Sequence, residues 1–292
     1  MTRFAAVLAL LVGCTPPPKA APKKVEPWTV AEGLQAPESA YVVPGTRDLF
    51  VSQVAGVPTD KDGNGRIAKM TIDGAVVKAD WVSGLNAPKG LRSHGGTLWV
   101  ADIDQVLGIS LADGKITHRV QVADAKFLND VAVGHDGTVY VSDMALSRIY
   151  AIKGGAVTVW ADGPELEHPN GLLVVGGSLV VAAWGKPSED FSTKVPGRLY
   201  RLDLQSKQKT LITKEPTGNL DGLESDGRGG FVVTDWMAGK VLHITGEGTA
   251  RVIRTFAQGT ADHAYVAAQD LLLLPHMLQN KIEAITPLLG SP

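Results

Sequence analysis

Six short β-rich runs recur along the chain, and this repeat limits the fold more than any other feature: Leu49-Phe-Val-Ser-Gln, Leu98-Trp-Val-Ala-Asp, Val139-Tyr-Val-Ser-Asp, Leu179-Val-Val-Ala-Ala, Phe231-Val-Val-Thr-Asp and Leu271-Leu-Leu-Leu-Pro. Each follows another strand that opens on a short motif: APES at 36, APKG at 87, LNDV at 128, HPNG at 168, NLDG at 219 and ADHA at 261. A third strand comes after each run, as in GRIAKMTI or GRLYRLDL, and usually a fourth, as in VVKADWV or ARVIRTF. With Glu38, Lys89, Asn129, Asn170, Asp221 and Asp262 as register marks, the steps are 51, 40, 41, 51 and 41 residues. Four strands per unit of about 40 residues is the spacing of an all-β propeller, in which radial packing of small twisted sheets leaves few open edges. The sixth unit lacks its own fourth strand, but Trp28-Thr-Val-Ala-Glu-Gly-Leu-Gln-Ala-Pro mimics Trp81-Val-Ser-Gly-Leu-Asn-Ala-Pro near the other end of the first unit. The expected fold is therefore a six-bladed β-propeller over residues 28–292, closed by the N-terminal strand completing the last blade.

Composition agrees with this. Thirty-three glycines in 292 residues call for many tight turns, and pairs such as Gly95-Gly96, Gly154-Gly155 and Gly176-Gly177 sit where hairpins must close. Gly90, Gly171 and Gly222 differ, since they directly follow register residues and let inner strands crowd toward the axis. A net charge of -2 offers no basic face for a phosphate backbone, so nucleic acid is not an expected partner.

The one cysteine, Cys14, forms no intramolecular disulfide. Before it stand one positive charge at Arg3 and an apolar run from Phe4 to Val12, too short to span a bilayer and of the form of a secretory signal. Leu11-Val12-Gly13-Cys14 resembles the bacterial lipoprotein signal, which implies cleavage after residue 13 and lipid on Cys14. Thr15 rather than Asp at the next place implies sorting to the outer membrane, facing the periplasm. Residues 14–27, rich in Pro and Lys, then read as a tether.

In a propeller the first strand of each blade is innermost, so the six register residues converge at one mouth of the central channel. The ring of carboxylates and amide oxygens they form is what a hard divalent cation requires, and two carboxylates with two amides match the charge of Ca²⁺. The loops between second and third strands emerge on the same face, and those at 55–66 and 185–197 are long enough to flank or lid the mouth. Trp184, Trp236, Met144 and Met277 would supply an apolar wall or pack between blades. Asp102, Asp143 and Asp235, at equal places ending second strands, suit the capping of backbone donors between blades. His168 and His276 fall near the same face as polar contacts. The run DKDGNG at 60–65 imitates a calcium loop, but position twelve is Thr71 instead of Glu, which leaves a solvated turn.

APES, LNDVAVGHDGTVYVSD, HPNGLLVV and LDGLESDGRGGFVVTD resemble the gluconolactonase and regucalcin (SMP-30-like) six-bladed propellers, with their paraoxonase and diisopropylfluorophosphatase relatives. The resemblance spans about residues 30–290 through short motifs in order. It implies Ca²⁺, or another divalent ion such as Zn²⁺, Mg²⁺ or Mn²⁺, held by Glu38, Asn170 and Asp221, with Asn129 a further ligand or a substrate contact. It also implies a substrate-side aspartate at Asp130, and in the phosphatase branch a deeper second ion, whose ligand places fall on Glu224 and His263 with Glu for Asp. Lys89 departs from the pattern, standing where paraoxonases carry a proposed histidine base. Either it is tuned toward an oxyanion donor, or it pairs with Glu38 and Asp221 and replaces the metal. The expected function is an envelope-anchored, metal-dependent hydrolase of lactones or related esters, monomeric, with Asp221 or Asp130 taking a proton and Lys89 aiding the oxyanion. The alternative is a non-catalytic propeller that binds a peptide, glycan or protein at the same mouth.

Overall fold

A computed structural model describes residues 24–290. The signal segment, Cys14 and the first part of the tether lie outside the described residues.

The strands form six four-stranded antiparallel sheets and one two-stranded hairpin; five of the six run as meanders in chain order, the fourth with the hairpin inserted between its second and third strands, and the sixth takes its outermost strand from the N-terminal segment. The inner strands are Pro37–Val42, Pro88–His94, Leu128–Val133, Pro169–Val175, Leu220–Ser225 and Ala264–Val266, and each contacts the next around a closed ring. The repeated apolar runs of the sequence are the second strands, with residues such as Leu49, Val51, Leu98, Val100, Val139 and Val141 fully or almost fully buried between neighbouring sheets. Outermost strands, such as Ala156–Asp162 and Ala250–Thr255, are largely exposed.

The N-terminal strand Trp28–Val30 pairs antiparallel with Lys281–Ile285, with Trp28 opposite Ala284, and is the outermost strand of the sixth blade. The Trp28 indole N–H also donates to the Ile72 carbonyl at 2.9 Å, which joins the last blade to the first. Near the axis a second seam closes the ring: Asp262 N donates to Glu38 O at 3.0 Å and Ala40 N to Asp262 O at 3.2 Å. The folded part starts earlier than residue 28, because Val25 is 1% exposed and packs into the core between the first and last blades. Burial of an apolar side chain outweighs the tether-like composition around it.

One local device recurs. In five blades the ladder between first and second strands shifts register where the inner strand begins, at Pro37/Ser39, Pro88/Leu91, Leu128/Val131, Pro169/Gly171 and Leu220/Leu223. Such a bulge breaks the pairing and re-aims a side chain, and the register residues stand in each of these irregular segments. A Cβ on Gly90 would lie 2.0 Å from Asp130 Oδ1, and one on Gly171 2.0 Å from the Asp221 carbonyl, so adjacent inner strands approach too closely for any side chain there.

Candidate active site

Five of the six register residues, Glu38, Lys89, Asn129, Asn170 and Asp221, line one cavity of ≈ 100 Å³ at the mouth of the channel. All five are nearly inaccessible to bulk water. The sixth, Asp262, turns away: its carboxylate accepts hydrogen bonds from the Ser39 hydroxyl and the His263 N–H.

The polar floor is under-satisfied. Glu38 Oε2 and both side-chain atoms of Asn170 are buried with no hydrogen-bond partner. Burial first, then repulsion from Asp221 and Asp262, pushes the Glu38 carboxyl well above the usual range, against the pull of Lys89. Asp221 is pushed up to about 8 by burial and by Asp130, while the nearby Asn170 amide favours its charged form. Unpaired buried oxygens that repel one another fit a site built for a cation, and an all-oxygen set of carboxylates and amides is the chemistry of a hard one. The amides are essential to that set, since among the described residues no group of three or more His, Cys, Asp or Glu is placed to hold a metal.

Lys89 makes no ion pair with Glu38 or Asp221. Its ammonium donates to Ala87 O at 2.9 Å and Pro58 O at 3.1 Å and lies 4.5 Å from the centre of the Phe127 ring. Burial lowers it to about 8, with Glu38 and Asp102 opposing. The two carbonyls hold it at the cavity edge with one of its three N–H bonds left over.

Asp130 does not line the cavity. Although it neighbours Asn129 in sequence, its Oδ1 accepts from Val131 N and its Oδ2 from Leu172 N, both at 2.7 Å, so it ties two blades together. Burial raises it to about 6, while Arg92 and these two N–H groups favour its charge.

The deeper pair also departs from expectation. Glu224 Oε1 is bound by Arg92 Nη1 at 2.8 Å, and that guanidinium lies 5.1 Å from the centre of the Tyr41 ring. Burial opposes the Arg92 charge, but Glu224 and then Asp130 hold it firmly protonated. His263 is 1% exposed with neither ring nitrogen partnered, and burial, then Arg92, depress it to about 3. These residues do not fit a second metal site, because a fixed cation already sits among the carboxylates and repels another.

The two long loops complete the cavity. Pro58 reaches it from the first, and Phe191 from the second, which is a small hairpin of Gly185–Pro187 paired with Thr193–Pro196. Phe191 has φ 63°, a left-handed conformation unusual for an aromatic residue. Its carbonyl accepts the Trp184 indole N–H at 2.9 Å, and Asn219 Nδ2 bonds both Trp184 O and Thr193 Oγ1 at 2.9 Å. Trp184, Trp236, Met144 and Met277 all reach the cavity wall. Pro58, Phe127 and Phe191 are wall residues that the repeat does not reveal, since two lie in unrepeated loops and Phe127 just ahead of its motif.

Asp102 and Asp143 each accept two or more main-chain N–H bonds at blade edges, and Asp235 accepts Ala238 N, as their equal places in the repeat suggested. Asp62 accepts Asn64 N in an exposed turn. His168 Nδ1 contacts the Met144 carbonyl at 2.7 Å, and His276 lies 3.1 Å from Glu283; neither reaches the cavity.

Neither a protein-family model nor a curated protein sequence matches the chain. Solved structures do. A gluconolactonase from Xanthomonas campestris is similar over 86% of each chain, with 17% identity and a TM-score of 0.64. The chain shares its six-bladed propeller fold. Virginiamycin B lyase from Staphylococcus aureus, in an inactive variant with quinupristin, matches over 89% of this chain and 98% of its own at 14% identity and a TM-score of 0.59. A chain of a nidogen/laminin complex matches over 75% of this chain and 89% of its own, at 15% identity and a TM-score of 0.59. At these identities the likeness is one of fold, and the fold serves enzymes and protein complexes alike.

Proposed function

We propose that this propeller is a divalent-metal-dependent hydrolase of lactones or related esters, held at the cell envelope by lipid on Cys14. The observation that carries the catalytic part is the set of unpartnered oxygens at the cavity floor, Glu38 Oε2 and the Asn170 amide, beside Asp221 and Asn129. Glu38, Asn170, Asp221 and Asn129 would hold the ion, and these oxygen donors favour Ca²⁺, then Mg²⁺ or Mn²⁺, over Zn²⁺, which prefers nitrogen and sulfur. A bound divalent ion supplies positive charge that polarises an ester carbonyl.

The chain's own groups divide the remaining work. Lys89 directs its remaining N–H toward the oxyanion that forms when water adds to the carbonyl. Asp221 is the cavity carboxylate able to take a proton from that water; Asp130 is excluded, since both its oxygens already accept main-chain N–H bonds. The small volume of the cavity supports a small-molecule ligand over the rival reading of a peptide or protein surface.

Metal analysis of the purified protein tests the proposal. One divalent ion per chain is expected, and Asp221→Asn should lower ion affinity, melting temperature and turnover across a lactone and ester panel. The hydrolase reading is to be abandoned if no ion is present and Asp221→Asn changes neither melting nor turnover. Envelope anchoring has its own check, since Cys14→Ser should move the protein from the membrane pellet to the soluble fraction.

A further inference from the structure

The chain enters the ring on the face opposite the cavity mouth. Met277 lines the cavity at the mouth end of the sixth blade, and the next strand, Lys281–Ile285, runs from there toward the far face. Trp28 pairs with Ala284 near the far end of that strand and Val30 with Ile282, so the incoming chain climbs toward the mouth from the other side. The Trp28 ring packs there on Gly74, in the turn between the third and fourth strands of the first blade. Just ahead of it Val25 is sunk into the core between the first and last blades, while Lys24 and Glu26 are exposed. Val25 thus fixes the point of entry to the ring itself, and only residues 14–24 remain to join it to lipid on Cys14.

That length of chain reaches at most about 35 Å. An inner strand such as Pro169–Val175 rises about 20 Å from one face to the other, and the hairpin of Gly185–Pro187 and Thr193–Pro196 adds roughly 10 Å on the mouth side. Turning the mouth to a bilayer would stretch the tether to nearly its full length along the outside of a blade, at the cost of its conformational freedom. With the far face down, no stretch is needed. Much of the exposed charge on that face is offset in pairs, Arg47 with Asp73, Lys115 with Asp113 and Lys153 with Asp136, which leaves little to repel an anionic headgroup layer. We propose that the short tether holds the face opposite the mouth against the lipid surface, so that the cavity opens away from the bilayer and takes its ligand from the water. This rests on the anchoring reading of Cys14 and is independent of the hydrolase one.

The test uses the full lipidated chain in vesicles of phosphatidylethanolamine and phosphatidylglycerol, part of the lipid carrying a nitroxide on its headgroup. Flotation with the vesicles reads the anchor by itself, with Cys14→Ser as control. Since lipidation consumes the one native thiol, a bimane dye can be placed on single introduced cysteines at exposed positions: Ala156→Cys and Glu247→Cys on the far face, Thr59→Cys and Glu189→Cys in the loops at the mouth. Quenching by the nitroxide should be at least threefold stronger for the dyes at 156 and 247 than for those at 59 and 189, and twenty Gly and Ser residues inserted after residue 22 should bring the ratio toward one. Equal or stronger quenching at the mouth of the native-length chain overturns the inference and leaves the anchor standing. A ratio unchanged by the insertion also overturns it, since the tether would then not be what holds the face down. If the protein does not float, the anchoring reading fails and this inference falls with it.

Discussion

At Lys89, burial weakens the charge while Glu38 and Asp102 restore it, and two backbone carbonyls fix where the ammonium can point. Replacing it with Met keeps the length and most of the packing on Phe127. Lys89→Met should therefore bind the ion as well as wild type yet lose about 10² to 10³ in kcat, the usual effect of deleting one oxyanion donor; steady-state kinetics with calcium titration would separate the two. His263 supports a different forecast. Its folded form resists protonation down to about pH 3, whereas the unfolded chain takes the proton near the ordinary value of 6.5. The unfolded state thus binds more protons at this residue between those values, and the contribution of His263 to stability falls as the pH drops through that window, by about 2 kcal/mol at pH 5. The raised carboxyls at the cavity floor have a slope of the opposite sign, so the comparison with His263→Gln isolates this residue: between pH 7 and 4 the urea midpoint of wild type should fall relative to that of the variant. The residue level is also where the sequence is least explicit. Glu38, Asn170 and Asp221 were legible because they occupy one place in a repeat. The resemblance implied a substrate-side Asp130, but two main-chain N–H groups hold its carboxylate, and a short motif does not report which side of an irregular strand a carboxylate takes. Arg92 was invisible because it occurs in one blade only and its partner Glu224 is far away in sequence.

Blades and their closure were readable before any coordinates, since a short apolar run repeated at a fixed spacing reports a strand packed between sheets, and the likeness of the Trp28 segment to the fourth-strand segment at Trp81 reports the partner missing from the last blade. What the repeat could not convey is the behaviour of its interruptions. The hairpin formed by Gly185–Pro187 and Thr193–Pro196 belongs to no blade and is held through Asn219. Asn219→Ala should speed amide exchange at residues 187–195 at least tenfold while leaving the melting temperature within about 2 °C, because few buried contacts are lost. The closing strand should respond in the opposite way. Trp28 is half-buried, packs on Gly74 and bonds Ile72 O, so Trp28→Ala removes contact area and a cross-blade hydrogen bond together. A loss of about 2 kcal/mol corresponds to a fall of roughly 5 °C in Tm for a domain of this size, measurable by calorimetry.

For the whole molecule, the cavity floor links metal, pH and stability. Without an ion the raised carboxyls of Glu38 and Asp221 hold protons that the unfolded chain has released, so the folded state loses stability as pH rises toward about 8. Between pH 6.5 and 8, where His263 no longer contributes a slope, chelator-treated protein should melt several degrees lower at the higher pH, and calcium should flatten the trend; equal slopes with and without calcium would argue against an ion at this floor. The closure of the ring has a bearing on synthesis as well. Because Trp28–Val30 pairs with Lys281–Ile285, the final sheet cannot be completed until nearly the whole chain has left the ribosome. Such non-local pairing is slow. The nascent chain therefore spends its synthesis as an open arc with unpaired edges, exposed to pairing with other chains until the ring closes.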